Sequence, residues 1–202
     1  MSGLKLLIFL SSVRDSRNAE RVYKMALRLA TEKGFSVDVM DPLKENLPLL
    51  KNPLHFYPDQ SKAPQQLHVL NQKVMFADCY LMITGEYNYG VPPALLNLID
   101  HFPPPSFAFK PAGILSYSAG QGGRHSSSHL EHTLTGIGCL VQPFIVNISV
   151  VQDTVTAEGD AHGGHTEDNI KILLDQIEFV GLALKQQKQS GKVKQPRLNN
   201  VF

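Results

Sequence analysis

The chain alternates short apolar runs with longer helical patterns, and this alternation constrains its fold more than any other feature. Residues 4–10 are almost continuously apolar, as expected of a strand that helices bury on both faces. Four more strands are predicted at residues 35–40, 79–84, 112–118 and 140–149. Helical patterns occupy residues 16–33, 64–77, 92–102, 125–138 and 167–187. Strands and helices in this alternation predict an α/β protein with a parallel sheet and right-handed crossovers.

The number of strands selects among the α/β folds. Five strands favour the flavodoxin-like three-layer sandwich, a five-stranded parallel sheet in the order 2-1-3-4-5 with helices on both faces. Residues 1–188 are expected to form a single domain, and residues 189–202 a polar C-terminal tail. The Pro-rich stretch 42–64 is too long for an ordinary connector, so it is predicted to be either a functional loop or a packed cover.

Charge and hydropathy exclude several classes of function. The net charge of +1 provides no general attraction to nucleic acid or to an anionic membrane. No apolar run approaches the roughly 20 residues that cross a bilayer, and the first strand follows too closely on Met1 for a signal peptide to be expected. Cys79 and Cys139 lie in or beside predicted strands and are expected to be buried thiols rather than a disulfide. Together these features favour a cytoplasmic protein.

Residues 11–18, Ser-Ser-Val-Arg-Asp-Ser-Arg-Asn, join the first strand to the first helix. Hydroxyls, backbone N–H groups and the side chains of Arg14 and Arg17 meet there at the positive end of a helix. This combination is suited to a phosphate or another anion. The loop has neither the glycines and Gly-Lys ending of a Walker loop nor the GxGxxG of a dinucleotide fingerprint. The alternative is a simple helix cap with two solvated arginines.

Residues 85–100 carry a strand directly into an aromatic turn and then into a helix that two prolines begin. Tyr87 and Tyr89 provide flat faces, and Asn88 between them provides a donor and an acceptor. Gly90 permits an unusual backbone angle. Because open α/β sheets bind ligands at the carboxyl ends of their strands, this turn is predicted to be a ligand platform. The alternative is an ordinary turn whose aromatic rings cover the core.

Residues 116–124 form a third loop, which is rich in small residues. Gly120, Gly122 and Gly123 allow the backbone to approach a planar ligand and to bond its polar edge through N–H groups. A flexible surface loop is the alternative. Three such loops at the same end of one sheet together predict a flavin site.

Other site chemistries have weaker signals. His125, His129 and His132 recur at helical spacing, but neither an HExxH motif nor a cysteine cluster accompanies them. They are interpreted as a polar helix face, and no metal is predicted. A Ser-His-Asp hydrolase is disfavoured because Gly-x-Ser-x-Gly is absent.

On these motifs the chain resembles the NADPH-dependent FMN reductase family, which contains flavodoxin-like NAD(P)H:quinone and FMN reductases. Residues 11–17 match the family pattern Gly-Ser-x-Arg-x-x-Ser/Arg, and residues 85–100 match Pro-Glu-Tyr-Asn-x-x-x-Pro-x-x-Leu-Lys-Asn-x-Ile-Asp. Residues 116–123 approximate Ser-x-Gly-x-Gly-x-x-Gly. The departures include Ser11 and Ser118 in place of glycines, Gly85 in place of a proline and Leu98 where alanine is common.

The resemblance implies that FMN is the cofactor and NADPH or NADH the co-substrate. It assigns the FMN phosphate to Ser12, Arg14, Arg17 and Asn18. It places the flavin ring beside Glu86, Tyr87, Asn88 and Tyr89. It places the polar edge of that ring beside Ser116, Ser118, Gly120 and Gly122.

The resemblance also implies a function: ping-pong hydride transfer from NADPH through bound FMN to a quinone, flavin or similar small acceptor, without a catalytic side chain and within a homodimer. A flavodoxin-like FMN module for electron transfer or regulation, with little NADPH turnover, is the alternative. Such carriers usually present an acidic docking surface, so the net charge of +1 disfavours it. A scaffold that has lost its flavin is disfavoured by the intact Arg14, Arg17, Tyr87 and Asn88.

Overall fold

A single parallel sheet organises the molecule, whose computed structural model describes residues 3–192, 194–196 and 198. Its strands are β1 (Lys5–Leu10), β2 (Ser36–Met40), β3 (Cys79–Thr84), β4 (Pro111–Tyr117), β5 (Leu140–Val141) and β6 (Val146–Ile148). The order is β2-β1-β3-β4-β5, and β6 also pairs with β4. Every pairing is parallel, which confirms the predicted flavodoxin-like order.

The predicted fifth strand, residues 140–149, is in fact two short strands. β5 pairs with the start of β4 and β6 pairs with its end, where Leu115 lies opposite Val146. Pro143 lies between them and has no N–H to donate, so the ladder is interrupted there. The interruption matters because β6 brings Asn147 beside Ser116 at the carboxyl end of β4.

The helices follow the sequence pattern within a few residues. They are α1 (Ala19–Glu32), α2 (Pro42–Glu45), α3 (Gln65–Phe76), α4 (Pro93–Asp100), α5 (Pro104–Phe107), α6 (Arg124–Gly136), α7 (Val151–Thr154) and α8 (Thr166–Ser190). The Pro-rich segment 42–64 is not wholly irregular. It contains α2 and two single-turn 3-10 helices, Leu54–Phe56 and Gln60–Lys62.

The core lies in two apolar layers, one on each face of the sheet. Leu6 and Ile8 of β1 belong to the layer formed with α1 and α8. Leu7 and Phe9 point the other way and belong to the layer formed with α3, α4 and α6. Successive strand residues alternate between the layers because side chains along a strand point to opposite faces. This arrangement confirms the three-layer sandwich.

Several expectations concern the ends and the thiols. The expected boundary between residues 188 and 189 falls inside α8, and part of the expected tail (193, 197 and 199–202) lies outside the described residues. Leu198 lies next to Gly138, since a Cβ built on that glycine would be 2.7 Å from the Leu198 Cδ1 atom.

Cys79 and Cys139 are both buried free thiols. Within the described residues, no helix has the length and apolarity needed to span a bilayer.

Candidate functional site

Three loops meet at the carboxyl ends of β1, β3 and β4 and enclose a cavity of about 290 Å³. A hydrogen bond from the Gly85 N–H to the Ser11 Oγ atom (2.9 Å) joins the first loop to the second. The cavity is lined by Ser12, Arg14, Asp15, Ser16, Arg17, Asn18, Gly85, Glu86, Tyr87, Tyr117, Ser118 and Ala119. Of the residues predicted from the sequence, the structure therefore brings together Ser12, Arg14, Arg17, Asn18, Glu86, Tyr87 and Ser118. It places Asn88, Tyr89, Ser116, Gly120 and Gly122 outside this lining.

Arg14 supplies the available positive charge of the β1–α1 loop. Its guanidinium lies 3.6 Å from the centre of the Tyr87 ring, a cation–π contact. It is exposed and forms no ion pair with any other residue that the structure describes. Ser12 and Tyr87 share a hydrogen bond of 2.5 Å between their hydroxyls. Asn18 precedes α1 without a side-chain cap, so the helix N-terminus adds its positive potential to the same place.

Arg17 lies on the same loop but is buried in ion pairs. Its Nη1 atom donates to the Ser12 carbonyl oxygen (2.5 Å) and to Asp41 Oδ1 (2.6 Å), and its Nη2 atom donates to Asp41 Oδ2 (2.5 Å). Nη2 and Nε also donate to Glu20 Oε1. Burial by itself would raise the pKa of Asp41, but hydrogen bonds from Arg17 and from the Leu43 N–H lower it below its usual value. The hydrogen bond with Asp41 likewise raises the pKa of Arg17.

The β3–α4 loop, residues 85–92, contains a tight two-residue turn. The backbones of Tyr87 and Gly90 exchange two hydrogen bonds of 3.0 Å, and Asn88 and Tyr89 between them have φ angles of 49° and 63°. This is the geometry of a type I′ hairpin turn. Both turn side chains project to solvent, and Tyr89 is 76% exposed. The Tyr89 ring meets the His125 ring edge-on, with 5.0 Å between centroids, at the start of α6.

The Glu86 carboxylate caps α6. Its Oε2 atom accepts hydrogen bonds from the backbone N–H groups of His125 (2.9 Å) and Ser126 (3.1 Å). These are among the N–H groups that a helix leaves unsatisfied in its first turn, and a carboxylate there is also favoured by the helix dipole. Glu86 therefore ties the second loop to the third. Its cap partners are 39 and 40 residues away in sequence, so no local pattern could have revealed this role.

The β4–α6 loop satisfies its own donors. The Ser118 Oγ atom accepts hydrogen bonds from the N–H groups of Gly120 (3.2 Å) and Gly122 (2.8 Å). Ser116 Oγ donates to the Gly122 carbonyl oxygen (2.7 Å) and accepts from Asn147 Nδ2. Gly122 has a φ of 81°, and a Cβ there would lie 3.1 Å from the Asn147 Cβ atom. Two of the N–H groups predicted to face the ligand are thus used within the loop.

Tyr117 is a lining residue that the sequence did not single out for binding. A Cβ built on Gly85 would lie 3.2 Å from the Tyr117 Oη atom, so the phenol occupies space that glycine leaves open. Burial raises the pKa of Tyr117 above its usual value. The signal in the sequence was Gly85, which stands where the family pattern has proline. That Tyr117 fills the space beside this glycine is visible only in the folded chain.

The chemistry of the lining suits a phosphorylated planar ligand. Arg14, the Ser12 hydroxyl and the α1 N-terminus would hold a phosphate, and Tyr87 and Tyr117 would border a planar ring. Such a cavity at the carboxyl edge of a β2-β1-β3-β4-β5 sheet defines a flavodoxin-like nucleotide-binding protein. Among the described residues, no group of three or more His, Cys, Asp or Glu is placed to hold a metal ion.

Comparison with known proteins defines the class more closely. A sequence model of the NADPH-dependent FMN reductase family matches residues 4–153, and the chain belongs to this family. It is 26% identical to an NADPH:quinone oxidoreductase of Arabidopsis thaliana over 196 residues, which cover 92% of this chain and 97% of the relative. Membership confirms the predicted class of enzyme, an NAD(P)H-dependent FMN or quinone reductase with FMN as cofactor and NADPH as co-substrate.

Solved structures share the fold. FerB, a flavoenzyme NAD(P)H:(acceptor) oxidoreductase of Paracoccus denitrificans, superposes with a TM-score of 0.70 at 22% identity and covers 87% of this chain and 98% of its own. RosB with bound 8-demethyl-8-formylriboflavin-5′-phosphate superposes with a TM-score of 0.66 at 15% identity, covering 99% and 93%. At these identities the similarity bears on the fold, which both proteins have in common with this chain.

Proposed function

We propose that this protein transfers a hydride from NADPH or NADH, through FMN held by the three loops, to a quinone, a flavin or a similar small acceptor in a ping-pong cycle. The observation that carries the proposal is the guanidinium of Arg14, which forms no ion pair with any described residue and lies beside an open cavity at the N-terminus of α1. Bound FMN supplies the redox chemistry, so no side chain has to act as a nucleophile.

Each loop has its own part in this proposal. Arg14 and the Ser12 hydroxyl bind the phosphate, with Asn18 at its edge. Tyr87 borders the ring, and Asn88 and Tyr89 stand at the solvent side, where a nicotinamide or an acceptor would enter. Ser116, Ser118, Gly120 and Gly122 form a wall whose internal hydrogen bonds keep the backbone in position along the polar edge of the ring.

The visible spectrum of the purified, FMN-reconstituted protein tests the proposal. Anaerobic NADPH should bleach the flavin absorbance, and a quinone added afterwards should restore it. Initial rates at several fixed quinone concentrations should give parallel double-reciprocal lines, because both substrates use one site in turn. A protein that stays colourless after incubation with FMN would refute the flavin site. A yellow protein that ignores both NADPH and NADH would favour an electron carrier instead.

A homodimer is part of the proposal. Leu49 and Phe56 of the Pro-rich segment are 81% and 61% exposed. Leu49 lines a surface cavity of about 350 Å³ and Phe56 lines another of about 420 Å³, and both cavities reach the C-terminal end of α4. An apolar surface of this kind is best covered by a protein partner. Because the resemblance implies a dimer, the partner proposed here is a second copy of this chain.

Sedimentation velocity tests the dimer. Phe56→Glu should shift the protein toward the monomer, whereas Phe179→Glu should not, since Phe179 is exposed on α8 at the other face of the sheet. Equal sedimentation of both variants and the parent as monomers would contradict the proposed interface.

Two further parts of the proposal concern the domain and the compartment. A single domain over residues 1–188 should unfold in urea in one transition that fluorescence and circular dichroism report identically. The buried free thiols Cys79 and Cys139 support a reducing, cytoplasmic location. A fluorescent fusion that localised to another compartment would contradict the latter.

A further inference from the structure

We propose that Arg17 and Asp41 form a positioning pair, which couples the phosphate-binding loop to the Pro-rich segment 42–64 and touches no part of the flavin. The inference rests on the proposed phosphate site around Arg14. It differs from the assignment that the family resemblance implies, in which Arg17 binds the phosphate directly.

The donors of Arg17 are all in use. A guanidinium carries five N–H bonds, and Arg17 makes five contacts: two to the Asp41 carboxylate, one to the Ser12 carbonyl oxygen and two to Glu20 Oε1. The side chains of Arg17 and Asp41 are each 3% exposed. The pair is bidentate, which is the strongest and most directional form of this interaction. To reach Arg17, a phosphate would have to displace either the buried Asp41 carboxylate or the Glu20 carboxylate, whose side chain is 52% exposed.

The pair instead holds the phosphate loop in shape. The Arg17 Nη1 atom draws the Ser12 carbonyl oxygen inward, and the Ser12 side chain then faces the cavity with its hydroxyl on Tyr87. Because Arg14 lies two residues after Ser12 and donates its N–H to the Ser12 hydroxyl (3.3 Å), its position depends on the same anchor. Losing the anchor would therefore displace the groups that do reach a phosphate.

Asp41 extends the connection to the second partner. Asp41 follows β2, and its Oδ1 atom accepts a hydrogen bond from the Leu43 N–H (3.1 Å). Leu43 lies in the first turn of α2, where the segment 42–64 begins. The far side of that segment is held on α4, where Asn97 accepts from the Leu50 N–H (2.8 Å) and donates to the Pro48 carbonyl oxygen (3.0 Å). The start of the segment and the phosphate loop are thus both hydrogen-bonded to the buried carboxylate of Asp41.

A cavity of about 220 Å³ lies where these parts meet. Val13 of the phosphate loop, Leu43 and Leu47 of the segment and Asn97 of α4 are among its lining residues. Its shape depends on both parts that the Arg17–Asp41 pair connects. Coupling through this pair predicts that a ligand which orders the phosphate loop also orders the segment. Linkage then requires that ordering the segment strengthens ligand binding by the same factor.

The direct experiment measures FMN affinity by fluorescence quenching for four variants: Arg14→Met, Arg17→Met, Asp41→Asn and the Arg17→Met/Asp41→Asn double variant. Positioning predicts that Arg17→Met and Asp41→Asn each weaken FMN binding about tenfold, and that the double variant loses no more than either single one. The Asp41 variant decides the sign. This substitution removes a negative charge and frees the Arg17 guanidinium. If Arg17 bound the FMN phosphate directly, Asp41→Asn would therefore bind FMN more tightly than the parent protein.

A second measurement reports the coupling itself. Lys44, Lys51 and Lys62 are exposed trypsin sites within the segment. FMN should slow cleavage at these sites in the parent protein by about tenfold and should leave the rate unchanged in Arg17→Lys, which keeps the charge but loses the planar fork. Cleavage at Lys188, near the end of α8, serves as the internal control. Circular dichroism and urea midpoints establish that each variant is folded.

The outcomes separate the inference from the proposal beneath it. If Arg14→Met binds FMN as the parent does, the proposed phosphate site is wrong. If Arg14→Met weakens FMN but Asp41→Asn leaves it unchanged or tighter, the phosphate site stands and the positioning pair is refuted. Equal protection of the segment by FMN in the parent and in Arg17→Lys would likewise overturn the coupling.

Discussion

The β1–α1 loop and the β4–α6 loop line the same cavity from either side of the β3–α4 loop, yet they use their polar groups in opposite ways. In the first, the Arg14 guanidinium lies at a helix N-terminus without an ion pair to any part of the chain that the structure describes. The second consumes its donors internally, because the Ser118 hydroxyl accepts from both Gly120 and Gly122. The first loop is therefore suited to binding charge, and the second to setting the shape of a wall.

The glycines of the β4–α6 loop also contribute to its packing. In a sequence, a glycine-rich loop indicates mobility or exposed N–H groups, but in this structure Gly122 and Gly123 permit close packing. Gly122 has a positive φ and lies against Asn147, and Gly123 has a positive φ at the start of α6. Backbone freedom is needed at these positions so that the loop can be compact.

The largest effect is expected at the open loop. Arg14→Ala should weaken FMN binding about 100-fold, because it removes a charge-assisted contact to the phosphate dianion that nothing else in the loop replaces. Arg124→Ala is the matched control, since it removes an exposed arginine from the start of α6 beside the other loop. Equilibrium dialysis of FMN checks both variants. If the two lost affinity equally, the distinction between the loops would disappear.

The next effect concerns the compact loop. Gly122→Ala should lower the free energy of unfolding by about 2 kcal/mol, because alanine is strained at a φ of 81° and its Cβ would crowd Asn147. Gly120→Ala is the internal control, as a Cβ there meets nothing within 4 Å. Urea denaturation measures both. A flexible loop would tolerate the two substitutions alike.

A smaller loss is expected from the hydroxyl that organises this loop. Ser118→Ala should lower the free energy of unfolding by about 1 kcal/mol, since it leaves the N–H groups of Gly120 and Gly122 without their acceptor. Ser128→Ala removes an exposed hydroxyl that donates to the Arg124 carbonyl oxygen of its own helix and to no other described residue, so it should change stability less. A result in the reverse order would show that the loop does not depend on Ser118.

The smallest effect is a pH dependence of the Arg17–Asp41 ion pair, which joins the first loop to the residue after β2. The pKa of Asp41 is lowered in the folded protein, so its stabilising effect is complete above its unfolded value, 3.8, and is lost as the pH falls through the folded value. The stability difference between the parent and Asp41→Asn should therefore be constant from pH 7 to 5 and should shrink below pH 4. Urea midpoints at closely spaced pH values measure it. A difference that grew on acidification would contradict the ion pair.

Local patterns were sufficient for most of the fold. Apolar runs and helical periodicity identify the strands of the sheet and the five longer helices, and their alternation implies the parallel order. The fifth strand was the exception. Pro143 was visible in the sequence, but whether the chain would rejoin β4 beyond it depended on how residues 146–148 meet that strand.

The sequence by itself determined the fold, the family and the edge of the sheet where ligands bind, because strand order places the three loop motifs together whatever their side chains do. Only the tertiary structure decided which polar groups remain available. Arg14 and Arg17 are equivalent in the sequence. Asp41 lies 24 residues beyond Arg17 at the end of the neighbouring strand, and it forms an ion pair with Arg17 but not with Arg14. Glu86 and Ser118 are likewise committed by partners that the fold supplies. A side chain's hydrogen-bonding capacity is local chemistry, whereas its remaining capacity depends on every neighbour that folding brings within reach.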